Sequence, residues 1–139
     1  GPVAAFTPWN VPMSAPSRKI SASLAAGCSI ILKPAEETPA AACFYAQCFL
    51  DAGLPAGVLN IVFGDPAEVS ETLVLSPVTR LVTLTGSIGV GKHLTRLAAE
   101  TMKPVLMELG GHAPVIVDRG VSAAGVAKLA AQWKYRMAG

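Results

Sequence analysis

The sequence predicts an α/β domain built on an open, doubly wound and mostly parallel sheet with helices on both faces. Short apolar runs alternate with longer helical stretches along the whole chain. Most of those runs are continuously apolar, as strands buried on both faces are. Glycines, prolines and helix-capping residues punctuate the joins.

Taken in order, residues 3–7 form the first strand, followed by a turn framed by Pro8 and Pro12 and a helix over 14–26. The second strand is 29–33. Thr38 and Pro39 then open a helix over 39–52 as N-cap and first turn, and Gly53 closes it in the left-handed conformation with Pro55 just beyond. A strand over 59–62 leads to a helix over 66–75, and a strand over 81–85 to a helix over 87–100. Strands over 105–109 and 115–117 precede a last helix over 122–136. No internal repeat or linker interrupts the series, and residues 1–139 read as one domain.

Composition narrows the function classes. The chain is 52% hydrophobic and 14% charged, apolar enough to predict surfaces that something else covers. Its longest apolar run, residues 22–32, falls well short of the roughly 20 residues that span a bilayer. No membrane role is expected, and no charged-then-apolar leader opens the chain. A net charge of +2, spread without aromatic-basic interleaving, weighs against nucleic acid. Cys28, Cys43 and Cys48 are odd in number, sit in apolar stretches and form no C-x-x-C pair. They predict small core residues, no metal site, and a reducing, cytoplasmic setting.

The glycine-rich turn is the first chemical signal. The strand over 81–85 runs into Gly86-Ser87-Ile88-Gly89-Val90-Gly91-Lys92-His93 at a helix start, where backbone amides suit a phosphate. A P-loop match through Gly86, Gly91 and Lys92 fails at His93, where a magnesium-binding hydroxyl belongs. The dinucleotide pattern G-x-G-x-x-G fails too, since the order here is G-x-x-G-x-G. Glycine also permits a tight strand-to-helix turn with no ligand at all. A P-loop-like hydrolase and a non-enzymatic remnant of the fold stay open at this point.

Four segments narrow the choice. Phe6-Thr7-Pro8-Trp9-Asn10-Val11-Pro12 resembles the P-W-N-[FY]-P signature of the aldehyde dehydrogenase superfamily, with Val11 in place of the usual aromatic. Leu32-Lys33-Pro34-Ala35-Glu36-Glu37-Thr38-Pro39 is similar to its K-P-[AS]-E-x-T-P stretch. Gly86, Ser87 and Gly91 resemble its G-S-x-x-x-G turn, and Glu108-Leu109-Gly110-Gly111 its E-L-G-G motif. The motifs occur in family order and cover essentially the whole chain. The resemblance implies a Rossmann-like dinucleotide-binding domain and oxidation of an aldehyde with NAD, through a thiohemiacetal and a thioester. It also implies a homo-oligomeric parent.

The resemblance assigns roles to particular residues. Asn10 becomes the oxyanion donor and Glu108 the general base for the deacylating water. Lys33 and Glu36 meet the adenosine ribose, the Glu36 carboxylate favouring NAD over NADP. Gly86 and Ser87 hold the pyrophosphate, while Pro8, Trp9, Leu109 and Gly110 complete the cofactor contacts. On spacing alone, Asn10 caps a turn, Glu108 faces solvent, and Lys33 with Glu36 forms a surface ion pair. Arg18, two helical turns after Asn10, is either a solvated arginine or the reader of a distal carboxylate, as in semialdehyde dehydrogenases such as those for succinate semialdehyde. The family nucleophile follows N-x-G-Q-x-C, which Met137-Ala138-Gly139 match only at the glycine. The expectation is therefore a fragment that ends before its reactive thiol and is inactive alone.

Overall fold

The computed structural model describes residues 1–137. Strands and helices alternate strictly: β1 (Val3–Phe6), α1 (Ser14–Ala25), β2 (Ile30–Lys33), α2 (Pro39–Asp51), β3 (Leu59–Ile61), α3 (Pro66–Leu75), β4 (Leu81–Gly86), α4 (Ile88–Ala99), β5 (Val105–Leu109) and α5 (Ala123–Lys134). The strands form one parallel sheet in the order β3-β2-β1-β4-β5. Each helical crossover returns the chain to the same end of the sheet, which parallel pairing requires.

Side-chain alternation along the strands divides the core in two. On one face Ala4, Phe6, Val82 and Leu84 pack with Val74 of α3 and with Leu94 and Ala98 of α4. On the other, Val3, Ala5, Ile30 and Leu32 pack with Ile20 of α1, and Tyr45 and Phe49 of α2 close over them. Ile20, Ile30, Leu32 and Leu94 are essentially fully buried, each stabilising the fold by about 1.5–3 kcal/mol relative to exposure. The chain changes faces between β3 and β4, so strand order reverses beside β1. Doubly wound sheets bind ligands at such a switch point, outside the carboxyl ends of the strands.

Local chemistry explains the joins. The Asp65 carboxylate accepts from the backbone amides of Ala67 and Glu68 at 3.0 Å each and caps α3. Gly53 takes the left-handed conformation after α2 (φ 82°), as predicted. Thr38 holds the N-cap position of α2, but its side chain makes no capping bond there.

Two expectations need correction. Residues 115–117 form no strand: Gly110, Gly111 and left-handed Ala113 (φ 45°) lead the chain off the sheet edge. Ile116 is 93% exposed, so its apolar run finds no partner strand among the described residues. Cys43 and Cys48 are exposed and Cys28 is half-buried, so none is a core residue. Helix α2 meets the sheet through Ala42, Tyr45 and Phe49, which turns both of its cysteines outward. Among the described residues no helix is long and apolar enough to cross a membrane.

Candidate active site

The carboxyl edge of the sheet gathers segments far apart in sequence. β1 ends at Phe6, and the following turn carries Pro8, Trp9 and Asn10 into α1. Register does the same for the last two motifs: β4–β5 pairing sets Thr85 opposite Glu108 and Gly86 opposite Leu109. The third glycine of the turn serves this packing. A Cβ on buried Gly91 would stand 2.6 Å from Leu109 Cδ2, so any larger residue there would push the Leu109 side chain aside.

Three adjoining clefts run along this edge. The first, of about 290 Å³, is walled by Thr7, Lys33, Glu36 and Ser87 among others. Lys33 is buried at the end of β2; its Nζ forms an ion pair with Glu36 Oε1 and donates to the Pro34 carbonyl at 3.3 Å. The Glu36 side chain keeps 42% of its surface exposed, enough to meet a ligand. Ser87 Oγ accepts from the Val90 amide at 3.3 Å, capping α4 and leaving its own O–H to donate. This donor set fits a dinucleotide: a lysine-anchored carboxylate for ribose hydroxyls and a capped helix N-terminus for pyrophosphate. The Thr7 hydroxyl in the same wall is buried without a partner, as a group awaiting a ligand would be.

The second cleft, about 420 Å³, shares Pro8, Trp9, Gly86 and Ser87 with the first, and adds Asn10, Glu108, Leu109 and Gly110. The third, about 630 Å³, opens between α1 and the β4–β5 face and shares Asn10, Thr85 and Glu108 with the second. Arg18 lines it from α1. The geometry thus brings all the sequence-predicted site residues onto one continuous surface.

Lys19 and Thr83 are polar groups in this third cavity that the sequence reading missed. Lys19 is buried, and its Nζ donates to Thr83 Oγ1 at 2.7 Å. Burial pushes the ammonium down from its ordinary 10.5 to about 8, while the Glu108 carboxylate pulls in the opposite direction. Ala15, Lys19 and Ser23 recur at helical spacing on the buried stripe of α1. A lysine inside an otherwise small-residue stripe was the available signal.

Of the cysteines, only Cys28 borders this cavity, at the start of β2 and thus at the opposite end of the sheet from Asn10. Met137 lines the cavity too. Ala138 and Gly139, the rest of the motif match there, lie outside the described residues.

The model of the aldehyde dehydrogenase family matches residues 1–139. The chain belongs to that family. A 4-(hydroxymethyl)benzenesulfonate dehydrogenase of Comamonas testosteroni is 52% identical over 139 residues, which is 100% of this chain and 29% of that protein. Succinate-semialdehyde dehydrogenase from Burkholderia pseudomallei superposes with a TM-score of 0.93 at 41% identity, covering 97% of this chain and 28% of the other. A C291A variant of aldehyde dehydrogenase C from Pseudomonas syringae, solved with NAD+ and octanal, gives 0.93 at 37% identity over 98% of this chain and 28% of the other. This aldehyde dehydrogenase chain therefore spans under a third of the length of these relatives. Their Rossmann-like α/β architecture is the one described above. Lys92, on which a P-loop reading would depend, is exposed on α4.

Proposed function

We propose that this chain supplies the cofactor-binding and general-base part of an NAD-linked dehydrogenase acting on an aldehyde with a distal carboxylate. The observation that carries the reading is the continuity of the three clefts. Shared walls join Lys33 and Glu36 at one end to Asn10, Glu108 and Arg18 at the other. The relative solved with NAD+ and octanal supports a nicotinamide dinucleotide in the first two.

When bound, the dinucleotide accepts hydride from the substrate carbon. Glu36, anchored by Lys33, accepts from a ribose 2′-hydroxyl and repels a 2′-phosphate, favouring NAD over NADP. Gly86, Ser87 and the amides opening α4 hold the pyrophosphate. Pro8 and Trp9 wall the middle cleft on one side, with Leu109 and Gly110 on the other. The Asn10 amide donates to the oxygen that turns negative when a thiolate adds to the aldehyde. Glu108 takes the proton from the water that attacks the thioester left once the resulting thiohemiacetal has lost its hydride. We assign the thiolate role to none of Cys28, Cys43 and Cys48, because none stands beside Asn10 and Glu108.

Arg18 presents a guanidinium fork to a distal carboxylate, a reading supported by the succinate-semialdehyde relative. A second reading keeps Arg18 and replaces the carboxylate by a sulfonate. The relative named for an arylsulfonate favours it, as do the apolar walls Val11, Leu81 and Leu106, which suit a ring.

The test is NAD-linked oxidation of succinate semialdehyde and of uncharged butanal by the intact protein. The charged substrate is expected to be preferred. Arg18→Leu should raise its KM roughly 10–100-fold, the scale of a charge-assisted hydrogen bond, and leave butanal unchanged. No NAD reduction with any aldehyde overturns the proposal, and a sulfonated benzaldehyde outcompeting succinate semialdehyde selects the second reading.

A further inference from the structure

We infer that the Thr7 hydroxyl is a hydrogen-bonding group for the bound dinucleotide, at its ribose–pyrophosphate segment. The inference rests on the cofactor reading of the first cleft and adds a residue to it. Thr7 is only 7% exposed, and its Oγ1 is the one buried side-chain nitrogen or oxygen without a partner among the described residues. A buried hydroxyl left unpaired destabilises a fold, whereas valine fills the same β-branched shape without that cost. Packing therefore gives no reason for the oxygen.

Its location gives one. Thr7 directly follows β1 at the point where strand order reverses, the ligand-binding position of a doubly wound sheet. It lines the same cleft as Lys33, Glu36 and Ser87. The neighbouring polar groups are already engaged: Lys33 Nζ with Glu36 and the Pro34 carbonyl, Ser87 Oγ with the Val90 amide. The backbone amide of Thr7 is also used, donating to the Lys33 carbonyl at 3.3 Å. Its side-chain oxygen, unlike these groups, is buried with no partner at all. A hydroxyl can donate to a phosphate or ribose oxygen and accept from a ribose hydroxyl. The dinucleotide segment between Glu36 and Ser87 offers all three.

The experiment compares Thr7→Val and Thr7→Ser with wild type in the intact protein. NAD affinity is read by calorimetry and thermal unfolding is measured without cofactor. Thr7→Val should weaken NAD binding about 3–10-fold, the scale of one neutral hydrogen bond, while the cofactor-free protein unfolds at the same or a higher temperature. Thr7→Ser, which keeps the hydroxyl, should bind NAD nearly as wild type does. Equal affinity of Thr7→Val in a wild type that binds NAD overturns the Thr7 assignment alone. A wild type that binds no NAD overturns the cofactor reading and this inference together.

Discussion

On one face of β4 and β5, Val82, Leu84, Val105 and Met107 pack against Leu94 and Ala98 of α4. On the other face Thr83, Thr85, Leu106 and Glu108 border the cavity beside α1, where Leu106 is 58% exposed. The same two strands thus build core with one set of residues and the proposed chemistry with the next. Period-two alternation makes this possible, because neighbours in sequence point to opposite sides of the sheet. A covered face tolerates only apolar side chains. An open one can keep a carboxylate, a threonine hydroxyl and a lysine within reach of one another, since water and ligand satisfy what the protein does not.

Substitutions one residue apart should therefore behave differently. The largest effect on folding is expected from Val82→Ala on the covered face. Removing two buried methyl groups there should cost about 1.5–3 kcal/mol of stability, read by chemical denaturation, with NAD affinity of the folded molecules unchanged. A parallel loss of NAD affinity would mean that the two faces are not independent.

A smaller effect belongs to Lys19 on the open face. Its pKa falls from 10.5 to about 8 on folding, so between those values the unfolded chain binds more protons than the folded one. Stability contributed through this group therefore rises with pH from about 8 to 10.5, and the burial penalty is fully present below 8. Lys19→Met should flatten that part of the stability–pH curve relative to wild type. Identical slopes in the two proteins would show that the amine is not desolvated by α1.

Much of the fold was legible because its signals are local. All five strands of the sheet start and stop within two residues of the positions that apolar runs and punctuation predicted, and Gly53 stops α2 as glycine does. The run at 115–117 misled because a strand is a pairing, and composition carries no information about whether an edge is available. Cys43 and Cys48 misled for a related reason: an apolar helix has an outward side too. The site was legible as motifs and not as a geometry. Nothing near Glu108 in sequence announces Thr85 or Lys19; the β4–β5 register supplies the first and the packing of α1 the second. Gly91 read as part of a phosphate turn, yet its contact with Leu109 ties α4 to β5.

The most direct test of the division between a structural and a chemical face is Glu108→Gln in the intact protein. The change keeps the shape of the side chain and removes its basicity. The first turnover of NADH should survive, while steady-state release of acid should fall about 10²–10⁴-fold, the usual worth of a positioned general base. The unfolding temperature should stay at the wild-type value. Steady-state turnover equal to wild type would contradict the account, as would a loss of folding stability large enough to explain the lost rate.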